Sequence, residues 1–246
     1  MGSDWSWTLT LPAGTVNPAT VERLLALARS FGLSPERPGG GMNGFANTPG
    51  HEGEHRVLDR AQLVAGLATG TWSTNLWTRS EEDIWLSVRP DSVLLSLDAC
   101  YCLRTPGPRA ARFRELHRLI TELWVTLADE TGALFGRIED EWSLEQIWSK
   151  LPDPSSGGTP PPPGAWPDWL SWSTYFDADR YGLLPPVPVE LGARVRGTAG
   201  GAAVIELLPD PAAVDPLEFA RLHREYRRAV ASGPDSARAE RRFPGV

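Results

Sequence analysis

The sequence predicts an α+β fold: an antiparallel or mixed sheet, part of it a meander, with helices packed on it. Three observations lead there. Strand-like runs follow in quick succession over residues 71–78, 83–88 and 92–102, separated by the turn-forming segments Arg79-Ser80-Glu81-Glu82 and Arg89-Pro90-Asp91. Directly after them Phe113, Leu116, Ile120, Leu123, Trp124 and Leu127 hold a helical period between Pro106 and Glu130. The chain has 246 residues, 41% of them hydrophobic and 22% charged, enough to bury a substantial core.

The remaining elements read in order. Trp5-Ser6-Trp7-Thr8-Leu9-Thr10-Leu11 alternates and predicts a first strand. Asn17 with Pro18 behind it starts a helix whose apolar stripe is Val21, Leu24, Leu25, Leu27 and Ala28, and Gly32 ends it. Residues 35–53, rich in Gly, Pro and Asn, read as a loop, and a short helix is expected over 58–67. Gly132 sits just past the long helix, where a left-handed residue closes helices. A strand over 133–138 and a short helix over 144–151 follow. The Pro-rich segment 152–167, with four consecutive prolines from Pro160, reads as a long loop inside a single domain spanning 1–246. A strand over 169–176, a hairpin around Gly200-Gly201, a helix over 216–230 and a frayed polar tail over 232–246 complete the chain.

Bulk chemistry narrows the function classes. The net charge of −7 and pI of about 5.2 disfavour direct nucleic-acid binding. No run approaches the roughly 18 apolar residues of a membrane span. Met1-Gly2-Ser3-Asp4-Trp5 has neither the basic nor the apolar region of a secretory leader, so a cytoplasmic protein is expected. Cys100 and Cys102, placed two apart on a strand, are expected to be unbridged thiols on one face. The sequence contains neither a G-x-S-x-G elbow nor a phosphate-binding G-x-x-x-x-G-K-[ST] loop, and it implies no cofactor.

Two local patterns could carry chemistry. His51-Glu52-Gly53-Glu54-His55 matches H-E-x-x-H, which in zinc hydrolases works because a helix projects both histidines to one metal while the glutamate polarises water. Here Gly53 lies inside the match and Gly/Pro-rich sequence precedes it, so a loop is expected instead; a zinc site on His51, Glu52 and His55 is the alternative reading. The acidic run Glu139-Asp140-Glu141, with Glu145 beyond it, is expected to be a solvated face or N-terminal charge favouring the next helix. Asp177 reads as a helix cap, with Asp179 close behind. His117 and His223, each beside an arginine, are expected at the surface.

The long helix leading into Ala133-Leu134-Phe135-Gly136-Arg137-Ile138-Glu139-Asp140-Glu141, followed by Trp169-Leu170-Ser171-Trp172-Ser173-Thr174-Tyr175-Phe176, a hairpin and a terminal helix, resembles bacterial polymorphic-toxin immunity proteins. It resembles especially immunity protein family 52 and the related type VI secretion immunity group. The resemblance runs from about Trp72 to Val230 and rests on element order. The segment 152–167 and the loop carrying His51 depart from the family pattern. The resemblance implies a non-enzymatic α+β protein that occludes a cognate toxin, typically a nuclease. The expected contacts are Glu139, Asp140, Glu141, Asp177, Asp179 and Trp172. A non-catalytic structural or regulatory binding protein is a further alternative.

Overall fold

The computed structural model describes residues 4–151 and 159–231. The chain forms β1 (Trp5–Thr10), α1 (Pro18–Ser30), β2 (Met42–Ala46), β3 (His55–Leu58), α2 (Arg60–Ala68), β4 (Trp72–Trp77), β5 (Asp83–Arg89) and β6 (Ser92–Leu97). It continues through α3 (Ala111–Thr131), β7 (Phe135–Asp140), α4 (Glu141–Trp148), β8 (Ser173–Phe176), α5 (Ala178–Leu183), β9 (Arg194–Gly197), β10 (Ala203–Glu206) and α6 (Pro216–Ala231). The ten strands make one sheet in the order β3-β2-β4-β5-β6-β1-β7-β8-β10-β9. Its strand pairings are antiparallel, so the mixed alternative is set aside.

β1 is the keystone. It joins the predicted meander, through β6, to the C-terminal strands, through β7. Alternation separates its side chains cleanly: Trp5, Trp7 and Leu9 are buried on one face, while Ser6, Thr8 and Thr10 stand half-buried on the other. The long helix α3 lies on the tryptophan side. Trp7 Nε1 donates to Thr121 Oγ1 at 3.0 Å, and Trp124 Nε1 of α3 donates back to the Thr8 carbonyl at 2.9 Å. A buried indole needs such an acceptor. Gly136 makes this approach possible, because a Cβ there would stand 2.6 Å from the Trp124 ring and 2.8 Å from the Thr8 carbonyl oxygen.

Local signals in the sequence are realised. The Asn17 side chain accepts from Thr20 N at the start of α1, and Gly132 closes α3 at φ 64°. Four expectations need correction. The Gly-rich segment is not all loop: it contains β2, and β3 occupies the start of the predicted short helix, which begins after the Asp59–Gln62 capping box. Gly44 is in that strand for space, since a Cβ would meet Leu58 Cδ1 at 2.3 Å. β6 ends at Leu97, where Asp98 caps a turn. Cys100 is therefore exposed and Cys102 buried, and they do not share a strand face. The strand predicted over 169–176 is confined to Ser173–Phe176.

The fourth concerns His117 and His223, which are packed rather than exposed. His117 stands edge-on to Trp5 at 4.7 Å and against Trp7 and Phe113. His223 is 6% exposed on the inner side of α6. Burial pushes their pKa values down to about 3 and about 4, keeping both rings neutral. The predicted tail 232–246 and residues 152–158 of the Pro-rich segment lie outside the described residues. Among the described residues no helix is long and apolar enough to cross a membrane.

Candidate functional site

The two faces of the sheet differ. The face bearing Trp5, Trp7 and Leu9 is lined by α2 and α3. The other face is sealed at its β7–β8 end, where Trp169 covers Arg137 and Trp166 packs edge-on to Phe176 and to Tyr226 of α6. Towards β4, β5, β6 and β1 it stays open: Trp85, Ser87, Leu94, Ser96, Ser6 and Thr8 are half-buried. Register places them in continuous rows, with Asn75 opposite Trp85, Trp85 opposite Ser96, Ser96 opposite Ser6 and Ser6 opposite Glu139.

A chain of hydrogen bonds runs across this open face. His55 Nε2 lies 3.0 Å from Asn43 Oδ1, Asn43 Nδ2 donates to Asn75 Oδ1 at 3.3 Å, and Asn75 Nδ2 donates to Asp83 Oδ2 at 2.7 Å. Tyr101 Oη closes the other end on Asp83 Oδ1 at 2.9 Å. Asn43 Oδ1 can only accept, so the proton sits on His55 Nε2 and the N–H donors from β3 to β4 all point towards the Asp83 carboxylate. Burial, and after it the bond to Asp83, raise the Tyr101 phenol to about 12, so it stays a donor. Phe45 is wedged between His55, at 5.2 Å, and Trp85, at 4.9 Å. Chemically this is a preorganised surface: aromatic rings on a polar floor whose groups already hold one another.

The predicted contact residues divide into two groups. Asp140 is fully buried. It caps α4 by accepting from Ser143 N, takes Trp172 Nε1 at 2.6 Å and pairs with Arg104 at 3.2 Å. Trp172 is 2% exposed and packs on Phe219. Both hold the fold and are not available on its surface, which corrects their assignment as contacts. Glu139 is half-buried on the open-face side and accepts from Trp169 Nε1 and Ser171 Oγ, each at 2.7 Å. Asp177 caps α5, as expected, and pairs with Arg180. Only Glu141 and Asp179 are fully exposed.

The H-E-x-x-H match lies on a hairpin. Gly53 N donates to the Ala46 carbonyl, and Gly53 adopts φ 79°, outside helical geometry. His51 Nδ1 lies 2.7 Å from Glu54 Oε1 and lowers that carboxyl's pKa, whereas His55 of β3 turns to Asn43 of β2. Glu52 binds the Gly50 amide. The side chains that a helix would converge on one metal have separate partners here. Among the described residues no group of three or more His, Cys, Asp and Glu side chains is gathered as a metal site.

Of the open-face chain the sequence pointed to His55, as part of a loop and, in the alternative reading, as a zinc ligand. Asn43 was hidden by the Gly-rich surroundings of β2. Asn75 and Asp83 were legible as outward polar positions of strands, but their pairing depends on register.

No protein-family model matches the chain, and no curated protein is significantly similar to it. Among solved structures it is similar to a type VI secretion system (T6SS) protein of Pseudomonas aeruginosa. The identity is 12% and the TM-score 0.49, over 93% of this chain and 74% of that one, a likeness too low to carry an argument.

Proposed function

We propose that this chain is an immunity-type binding protein that neutralises a cognate bacterial toxin, of nuclease type, by occlusion. The observation that carries this reading is the open half of the sheet. It offers Phe45, Trp85 and Leu94 on a floor whose polar groups are already hydrogen-bonded, so a partner meets a rigid surface and little ordering is needed. Aromatic side chains on such a surface are the usual energetic centres of protein interfaces. The net charge of −7 suits a basic partner such as a nuclease and favours its approach. The likeness to immunity protein family 52 in element order supplies the class of partner. Glu139 borders the open rows, and Glu141 and Asp179 are the exposed acids expected at the rim.

The test is co-purification with the product of a neighbouring secreted-toxin gene, followed by titration of toxin activity. Trp85→Ala is expected to weaken binding at least tenfold, about 1.4 kcal/mol. Glu141→Lys with Asp179→Lys is expected to slow association while leaving thermal stability unchanged. A full-length protein that neither binds nor inhibits any neighbouring gene product would falsify the reading and leave a structural or regulatory role.

A further inference from the structure

On the opposite side of the sheet, α3, the edge strand β9 and its neighbour β10 border a cleft of about 400 Å³. It is a size typical of small-molecule sites. Its walls are tied in place. Arg114 of α3 makes a bidentate pair with Asp210, at 2.8 and 2.7 Å, which fixes the segment Leu207–Pro211 over the helix. Arg196 of β9 reaches Glu122 of α3 at 2.8 Å. In a chain of net charge −7, four arginines, 114, 118, 194 and 196, face this cleft against Glu122, Glu206 and the Asp210 partner of Arg114, a local balance of 4 − 3 = +1.

Several of its donors are unmatched. Arg118 is exposed and has no carboxylate partner among the described residues, and Arg196 Nη2 is buried with no acceptor. His117 Nε2 is buried without a hydrogen-bond partner. Thr121 Oγ1 receives the Trp7 indole N–H and lies 3.5 Å from His117 Nδ1. A buried guanidinium N–H without an acceptor, as at Arg196 Nη2, favours an acceptor-rich guest. Leu207, Leu208, Pro209 and Pro211 supply an apolar lip beside these donors.

We propose that this cleft binds a small organic phosphate monoester, its phosphate on Arg118, Arg194 and Arg196 and its organic part on the Leu208–Pro209 lip. A phosphate has three terminal oxygens and close to two negative charges, and it suits forked guanidinium donors better than a carboxylate does. Glu122 and Glu206 compete with it for Arg196, and Glu206, at 3.3 Å, also for Arg194. The site is independent of the toxin-binding reading.

The experiment is calorimetric titration of the full chain, at low salt, with phenyl phosphate, phenol, inorganic phosphate and adenosine monophosphate. Phenyl phosphate or adenosine monophosphate is expected to bind at least tenfold more tightly than phenol and inorganic phosphate, and less tightly as salt rises. Arg118→Gln, at an exposed position that folding does not need, should weaken that binding at least tenfold. Arg89→Gln, at the β5–β6 turn, should leave it unchanged. Glu122→Gln should tighten it severalfold by freeing Arg196, an effect that a purely structural role for the cleft would not produce. Equal binding of phenol and the phosphate esters, indifference to Arg118→Gln, or weaker binding by Glu122→Gln would overturn the assignment.

Discussion

The two ends of one sheet face treat polar side chains in opposite ways. At the β7–β8 end Arg137 and Glu139 are roofed, and Asp140, opposite Trp5 at the end of β7, is buried beside them. Trp169 lies 3.6 Å over the Arg137 guanidinium, and Trp169 and Trp172 donate their indole N–H groups to Glu139 and Asp140. Across β2 to β5, Asn43, Asn75 and Asp83 form a comparable set with no such roof, bounded only by Phe45, Trp85 and Tyr101. Charges taken out of water must be fully satisfied, and tryptophan does this while adding apolar cover. Neutral amides joined to one half-buried carboxylate satisfy one another without such an ion pair, although Asn43 and Asn75 are themselves buried. The roofed cluster therefore supports the fold, and in the other the half-buried groups are Phe45, Asp83 and Trp85.

The largest break in this contrast is expected from Asp140→Ala. It would leave the part-buried Arg104 guanidinium without its carboxylate and the Trp172 indole with Ser143 Oγ as acceptor, and loss of one partner from a buried pair costs about 3–5 kcal/mol. Chemical denaturation should show that loss, while the folded fraction keeps its partner affinity. A drop in affinity without a drop in stability would return Asp140 to the interface.

Acid should act next, through the buried histidines rather than the open face. His117 and His223 have folded pKa values of about 3 and about 4, below the unfolded value near 6.5. Between these limits the unfolded chain binds protons that the folded chain refuses, so stability falls as pH drops below 6.5. The slope is about 1.4 kcal/mol per pH unit for each ring. Glu82, held at about 2 chiefly by Arg112, adds a further loss only below about pH 4.5. A melting temperature that stays flat between pH 7 and 5 would contradict the packing of both histidines.

Asn75→Ala should have the smaller effect, about 1–3 kcal/mol, because it leaves the buried Asn43 amide and the half-buried Asp83 carboxylate each short of one neutral partner and breaks no ion pair. It sharpens the contrast only if it also weakens partner binding, measured by the same titration as Trp85→Ala.

Much of the architecture was readable in advance. The meander, α3 with its closing glycine, the Asn17 and Asp177 caps and the C-terminal hairpin all follow from short-range periodicity and turn chemistry. β2 was not readable, because Gly44 and its glycine-rich flanks look like loop until Leu58 and Trp72 pack against them. The acidic run was seen, but not that its central member is buried. A run of carboxylates looks the same whether water or two indoles satisfy it.

By itself, then, the sequence determined the fold class, most element positions and the acidic balance, since these depend on neighbours within a few residues. Only the tertiary structure decided that β1 bridges the two halves and that Asp140 is interior. It also decided that His55, Asn43, Asn75 and Asp83 form one row. Each of those facts depends on strand order and register between residues far apart in the chain, and a one-residue slip would place every one of these side chains on the other face.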